Sequence, residues 1–256
     1  MKRNVVLTRP QGVYPGGIQF SQRIRDIGFD VFECAPLVCE VLTPSADTLT
    51  ALSQIAHTSE DTWLVFLSPT AVFVWRELVE RYAELSKLLP RTKIAVQGRG
   101  TEGAVSECFG RKADFIPTVF VAEEFAEQFK SVLKEHDTVI LPQSAQGRNV
   151  MAPLLEPAVR QVIAFSSYSL DEQMLSVDVV ERLRVLSPTD IMVFMSPSAV
   201  RAMYRQVGDP LERISLLSIG PSTSREMRAC GLSVWREAQE YSEQGIIELL
   251  QGVISE

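Results

Sequence analysis

The octapeptide Val65-Phe66-Leu67-Ser68-Pro69-Thr70-Ala71-Val72 returns as Val193-Phe194-Met195-Ser196-Pro197-Ser198-Ala199-Val200, unchanged at Val, Phe, Ser, Pro, Ala and Val. Self-similarity on this scale means that one supersecondary unit occurs twice. The order of later segments is kept as well. Gly98-Arg99-Gly100-Thr101 answers to Gly220-Pro221-Ser222-Thr223, and the helix opening Glu123-Glu124-Phe125 answers to Ser242-Glu243-Gln244. Two units related by duplication explain this better than one long sheet.

Short β-branched runs alternate with longer amphipathic segments throughout, the pattern of parallel sheets covered by helices, so the fold class is α/β. The strand candidates are Val5-Arg9, Asp30-Cys34, Trp63-Ser68, Lys93-Gln97, Asp114-Pro117, Thr138-Leu141, Val159-Ala164, Ile191-Ser196, Leu216-Gly220 and Ser233-Arg236. Glu123-Lys134 and Glu243-Val253 space their apolar residues (Phe125, Phe129, Val132, Leu133; Ile246, Ile247, Leu250) as helices packed by one face. From about residue 171 onward there are three strands, whereas 44 to 160 supplies five, Asp114-Pro117 among them. The two strands before residue 35 therefore complete the carboxyl-terminal unit. This predicts a discontinuous domain, 1–36 plus 171–256, a second domain, 43–162, and two crossing segments, 37–42 and 163–170, able to pair as a two-stranded connector.

In both octapeptides an apolar strand runs straight into Ser-Pro and then a helix. Serine caps free amides, and proline at the first helical position loses no needed hydrogen bond. Two readings follow. The motif is a good helix start, or it also aims N–H groups and a positive dipole end at an anion beside the strands' carboxyl ends. Gly98-Arg99-Gly100-Thr101-Glu102-Gly103 matches the dinucleotide pattern G-x-G-x-x-G after a strand. Its counterpart from Gly220 keeps only Gly-x-x-Thr, and Glu123 opens a helix instead of ending a strand, so a nicotinamide or flavin role is disfavoured. No Gly-Lys-Ser/Thr loop and no Gly-x-Ser-x-Gly elbow occurs.

The chain has 256 residues, with 25 Lys+Arg against 32 Asp+Glu and a net charge of −7. That balance, with no basic stripe interleaved with aromatics, argues against nucleic acid as a partner. The apolar-rich stretch Leu64 to Trp75 is too short to span a membrane, and Met1 to Pro10 lacks a secretory apolar core, so a cytoplasmic protein is expected. Cys34, Cys39, Cys108 and Cys230 are scattered, and with His57 and His136 they form no metal-ligand spacing; buried reduced thiols and surface histidines are expected.

Taken together, the motifs resemble the uroporphyrinogen-III synthase family. The resemblance covers nearly the whole chain. It rests on Val6-Leu7-Thr8-Arg9-Pro10, Val65 to Pro69, Gly98 to Thr101, Leu141-Pro142 through Gly147-Arg148, Tyr168, Val193 to Ser198 and Ile219 to Thr223. It implies a monomeric cyclising hydro-lyase of two Rossmann-like (flavodoxin-like) domains, joined by a two-stranded ladder with an open cleft between them. Its substrate would be hydroxymethylbilane, closed with loss of water and inversion of the last ring. No cofactor and no metal are implied, and the enzyme that precedes it in tetrapyrrole biosynthesis would be a transient partner.

Carried over residue by residue, the resemblance places Ser68, Thr101, Ser196 and Thr223 against the substrate. Ser222 and the glycines Gly98 and Gly220 would let backbone amides approach it. Tyr168 would help the hydroxyl leave, as hydrogen-bond donor or general acid. Arg9 and Arg148, read as exposed strand-end arginines, would meet substrate carboxylates. Gln97 and Glu102 depart from the family pattern, and Glu102 would repel a carboxylate unless it points away. The alternative from another class is a non-catalytic two-domain protein that closes on a small anion.

Overall fold

A computed structural model describes residues 3–12, 17–57, 61–119, 122–147 and 149–254. The elements run β1 (Asn4–Thr8), α1 (Gly17–Asp26), β2 (Asp30–Cys34), β3 (Leu37–Val41), α2 (Ala46–Ala56), β4 (Thr62–Phe66), α3 (Pro69–Arg81), α4 (Ala83–Ser86) and β5 (Thr92–Val96). They continue with α5 (Arg99–Phe109), α6 (Ala122–Lys130), β6 (Thr138–Ser144), α7 (Met151–Leu155), β7 (Gln161–Glu172) and α8 (Val177–Arg184). The last are β8 (Ile191–Phe194), α9 (Pro197–Val207), β9 (Ser215–Ser218), α10 (Pro221–Ala229), β10 (Arg236–Glu237) and α11 (Glu243–Ile254).

The chain divides into two compact units, Met1–Cys39 with Asp171–Glu256, and Glu40–Leu170. The first carries a five-stranded sheet in the order β10-β9-β8-β1-β2, every pair parallel. Because a parallel sheet is covered on both faces, its strands are apolar throughout, and alternate residues serve opposite layers. Val6, Met192, Phe194 and Leu216 pack with Ala199, Met203 and Met227 of α9 and α10. Val5, Leu7, Ile191, Val193 and Leu217 pack with Phe20 and Ile24 of α1 and with Ile246, Ile247 and Leu250 of α11.

Strands from opposite ends of the sequence are joined by more than the ladder. Asp190, just ahead of β8, accepts hydrogen bonds on Oδ1 from the Asn4 N–H (2.8 Å) and Nδ2 (2.9 Å). On Oδ2 it accepts from the Ser187 N–H (2.8 Å) and Oγ (3.1 Å). Burial raises its carboxyl pKa, but these bonds from Ser187 and Asn4 outweigh it and hold the group below its ordinary value.

The second unit's sheet has the order β3-β7-β6-β4-β5. β4, β5, β6 and β7 pair in parallel, and all five residues of β4 are buried. Trp63, Val65, Val139 and Leu141 meet Phe125, Phe129 and Leu155 on one face. Phe66 meets Trp75 and Phe109, on α3 and α5, at 6.4 Å between ring centroids. β3 joins the edge: bonds from Leu42 N to Ser167 O and from Gln173 N to Pro36 O fix an antiparallel register with β7.

Three expectations are corrected. Asp114-Pro117 is not a strand; it is reduced to a single bridge, Ala95 to Phe115, and the fifth strand of this sheet is β3. The helix expected over Glu123-Lys134 stops at Lys130, and Val132 stands 43% exposed in the turn that follows. Arg9, read as exposed, is buried, with its guanidinium over Phe20 (4.7 Å) and paired with Glu243 of α11. Cys34 and Cys39 are buried and Cys108 and Cys230 half-buried, all as free thiols; burial pushes Cys34 up to about 12, far from a reactive thiolate.

Candidate active site

Both octapeptides build the same junction. Ser68 and Ser196 each leave the strand in an extended conformation and accept the N–H three residues on, from Ala71 and Ala199, at 3.2 Å in both cases. Pro69 and Pro197 take the first helical position. The neighbouring junctions also correspond. Gln97 donates its N–H to Phe66 O and Ile219 to Phe194 O, each at 3.1 Å, which sets the starts of α5 and α10 beside those of α3 and α9.

In the unit Glu40–Leu170 the carboxyl ends of β4, β5 and β6 open into a pocket of about 300 Å³ lined by Ser68, Ala71, Gln97, Gln143, Ser144 and Tyr168, among others. Tyr168 reaches it through an irregularity in β7. Gln143 pairs with Ser166, but Ser144 pairs with Tyr168, so Ser167 is an extra residue. In regular alternation Tyr168 would share a face with Ser166; the bulge moves it to the face of Ile163 and Phe165. There its ring is buried, and its Oη lies 3.0 Å from Ser68 Oγ. Two of the expected site residues, 100 positions apart, are thus in direct contact.

Gly98 caps α5 through its backbone, and Thr101 is buried in the first turn. Glu102 forms an ion pair with Arg99 at 3.0 Å, so the charge expected to repel an anion is matched locally. Arg148 lies outside the described residues.

In the other unit Ser196 caps α9, with its Oγ 3.0 Å from Ser198 Oγ. Gly220 precedes Pro221 at the start of α10, and Ser222 is exposed there. Thr223 is buried, and its Oγ1 has no hydrogen-bond partner among the described residues. Gly220 is needed for space: a Cβ would come within 2.9 Å of the Tyr241 ring. Arg9 is committed to Glu243 and is not gathered with the α10 start by any contact described.

Sequence reasoning missed Tyr241, which carries no signal except proximity in the fold; Gln143 and Ser144 lie in the stretch Leu141 to Arg148 on which the resemblance rests, but were given no role there. It also missed a third grouping. Asp61, His136 and Asp137, unpromising by spacing, bring ligand atoms within 4.8 Å of one another. Cations already stand there: Lys134 Nζ is 3.1 Å and Lys93 Nζ 3.8 Å from Asp61 Oδ2. The Lys134 hydrogen bond, followed by the charges of Lys93 and Lys134, holds the Asp61 carboxyl below its usual range. A wider hollow of about 560 Å³, lined by Leu49, Ser53, Tyr82 and Glu84, lies away from these junctions.

The family model of uroporphyrinogen-III synthase HemD matches residues 18–248. The chain belongs to the uroporphyrinogen-III synthase family. Uroporphyrinogen-III synthase of Synechococcus elongatus is 26% identical over 248 residues, covering 89% of this chain and 88% of that one. Among solved structures, uroporphyrinogen-III synthetase from Helicobacter pylori superimposes with a TM-score of 0.62 at 16% identity, covering 98% of this chain and 99% of the other. A mutant uroporphyrinogen III synthase from Thermus thermophilus gives 0.57 at 13% identity, covering 99% and 100%. These likenesses in structure show the shared α/β fold. The uroporphyrinogen-III synthase family is one of cyclising lyases in haem biosynthesis, and the non-catalytic anion-binding alternative is not favoured.

Proposed function

We propose that this protein converts hydroxymethylbilane to uroporphyrinogen III, expelling the terminal hydroxyl as water and closing the ring with inversion of ring D. The observation that carries the reading is the Ser68–Tyr168 pair at 3.0 Å, set at the mouth of a pocket beside helix starts that the other unit repeats. Tyr168 donates a hydrogen bond to the departing hydroxyl. Thr223, whose buried hydroxyl has no partner among the described residues, and the first-turn amides of α5 and α10 receive substrate carboxylates, where aligned N–H groups and the helix dipole favour negative charge. Ser68, Gly98, Thr101, Ser196, Gly220 and Ser222 belong to the same set of junctions, and Arg148 is assigned to it by family resemblance alone.

The reading extends to architecture and setting. Domains 1–36 plus 171–256 and 43–162 are duplicated Rossmann-like units, with 37–42 and 163–170 as connector. The matching bonds Gln97 N to Phe66 O and Ile219 N to Phe194 O support a common origin. The strand order β2-β1-β8-β9-β10 follows the flavodoxin-like pattern 2-1-3-4-5. The enzyme works as a cytoplasmic monomer, without metal or cofactor, and takes its substrate from the preceding pathway enzyme by transient contact; among the described residues no helix is long and apolar enough to cross a membrane. Catalysis lies mainly in positioning a flexible chain so that the inverted closure outruns the spontaneous one.

The test is the isomer ratio. With hydroxymethylbilane generated in situ, the oxidised products are separated as type III and type I uroporphyrin. Predominant type III is expected, and type I alone at the uncatalysed rate would refute the function.

A further inference from the structure

We propose that Gln143 is a substrate-contacting residue whose side-chain carbonyl accepts a pyrrole N–H of the bilane. The inference rests on the reaction assigned above and adds to it a recognition group apart from the carboxylate sites at the helix starts.

Topology puts Gln143 where a ligand belongs. From β4 the chain turns to β5 on one side and comes back as β6 on the other, so the strand order reverses between β4 and β6. In open parallel sheets the crevice beyond the carboxyl ends of the strands at such a point is the binding place. Ser68 lies just past β4 and Gln143 near the end of β6, and both line the pocket of about 300 Å³ found there. The bulge in β7 fixes the backbone of Gln143, whose carbonyl accepts the Ser167 hydroxyl at 3.3 Å.

The hydrogen bonds then separate Gln143 from its neighbours. Ser68 Oγ accepts the Ala71 N–H at 3.2 Å and lies 3.0 Å from Tyr168 Oη. Ser144 Oγ donates to Gln146 Oε1 at 2.9 Å and accepts the Gln146 N–H at 3.3 Å, which closes the turn after β6. Gln97 is engaged as well. The half-buried side-chain amide of Gln143 makes no hydrogen bond among the described residues, and no charged side chain among them lines the pocket. A carboxylate uses only the NH2 side of an amide, and helix starts already offer such donors. A pyrrole N–H uses the carbonyl, an acceptor that helix starts do not supply.

The other unit treats the equivalent position differently. Counting on one for one from Leu64–Ile140 and from Val193–Leu7 sets Gln143 level with Leu67 and Arg9 level with Met195, the same place in the octapeptide. Arg9 is buried and paired with Glu243 of α11. The position therefore serves the fold in one unit and faces the pocket in the other.

The experiment compares Gln143→Met, Gln143→Glu and Gln143→Lys at about 0.5 M salt, where a screening length of roughly 4 Å suppresses diffuse charge effects on a polycarboxylate. Methionine has the length of glutamine without its amide, so kcat/KM for hydroxymethylbilane is expected to fall about 10-fold. Its unfolding temperature is expected to stay at the parent value, because no hydrogen bond within the protein is lost. Glutamate, which only accepts, is expected within about fivefold of the parent; lysine, which only donates, is expected to fall at least as far as methionine. A Gln143→Met enzyme within about twofold of the parent, a clear fall in its unfolding temperature, or lysine outperforming glutamate would each overturn the proposal.

A second readout needs no turnover. In ¹⁵N-labelled protein the Gln143 side-chain NH2 pair, assigned by its loss in Gln143→Met, is titrated with a free pyrrole carrying acetate and propionate arms and, separately, with propionate. The pyrrole is expected to move the pair and propionate to leave it in place. Movement by propionate, or by neither, would refute the contact whatever the enzyme makes. Absence of type III product from the parent, with the pair moved by the pyrrole alone, would refute the reaction and leave the pyrrole contact standing.

Discussion

Replacing Asp190 by Asn changes almost no volume and removes one charge from the joint between β1 and β8. The carboxylate accepts four hydrogen bonds, two per oxygen. An asparagine keeps one carbonyl oxygen for Asn4, now without charge assistance, and turns an amide donor toward the Ser187 N–H, where donor faces donor. Losing two charge-assisted bonds at a site only 6% exposed should cost about 3 kcal/mol near pH 7. The sign with pH follows from the depressed native pKa. Asp190 stabilises the fold above its unfolded value of about 3.9, and this contribution is lost as pH falls through the lower native value. Urea unfolding of parent and variant should therefore differ by about 3 kcal/mol near pH 7, and the difference should shrink in acid as the carboxylate is protonated. Hydrogen exchange adds the location: Asn4–Thr8 and Ile191–Phe194 should lose protection while Thr62–Phe66 and Thr138–Ser144 keep it. A gap below about 1 kcal/mol, a gap unchanged in acid, or protection lost equally in both sheets would refute the reasoning.

Tyr168→Phe keeps the buried ring and deletes the hydroxyl, so turnover of hydroxymethylbilane should fall about 10- to 100-fold with the unfolding temperature unchanged; undiminished turnover removes Tyr168 from the mechanism. Thr223→Ala deletes a buried hydroxyl that has no partner among the described residues, so stability should be equal or higher while KM rises about 3- to 10-fold; unaltered KM would count against the α10 start as a carboxylate site. Gly245→Ala would set a Cβ 2.1 Å from Glu240 O at the start of α11, and urea unfolding should show a loss of about 2 kcal/mol or more. An unchanged midpoint would mean that this turn gives way freely.

What could be read from the sequence was what is local. The Ser-Pro starts of α3 and α9 declare themselves because cap, proline and apolar run are contiguous, and β2 carries its own boundaries at Asp30 and Cys34. Features that depend on remote partners showed less completely. The pairing of 37–42 with 163–170 was expected as a separate connector, but in the fold Leu37–Val41 is the edge strand of the sheet that β7 belongs to, whereas Asp114-Pro117 has strand-like composition but a single bridge to β5. Arg9 looks like a free cation until α11 brings Glu243 to it. At the site, Tyr168 could be named by resemblance, but its contact with Ser68 depends on one extra residue at Ser167, which alternation of side chains along β7 would not reveal.

The order in which the chain leaves the ribosome interacts with the division of the sheets. β1 and β2 emerge first, yet their sheet needs β8, which begins at Ile191, 157 residues after Cys34. At about 5–20 residues per second that interval is roughly 8–30 s, during which β1 has β2 on one side but lacks β8 on the other. Nearly the whole of the other sheet, β4 to β7 with its covering helices, is synthesised within the same interval. The middle of the chain can thus mature while the head waits for the tail.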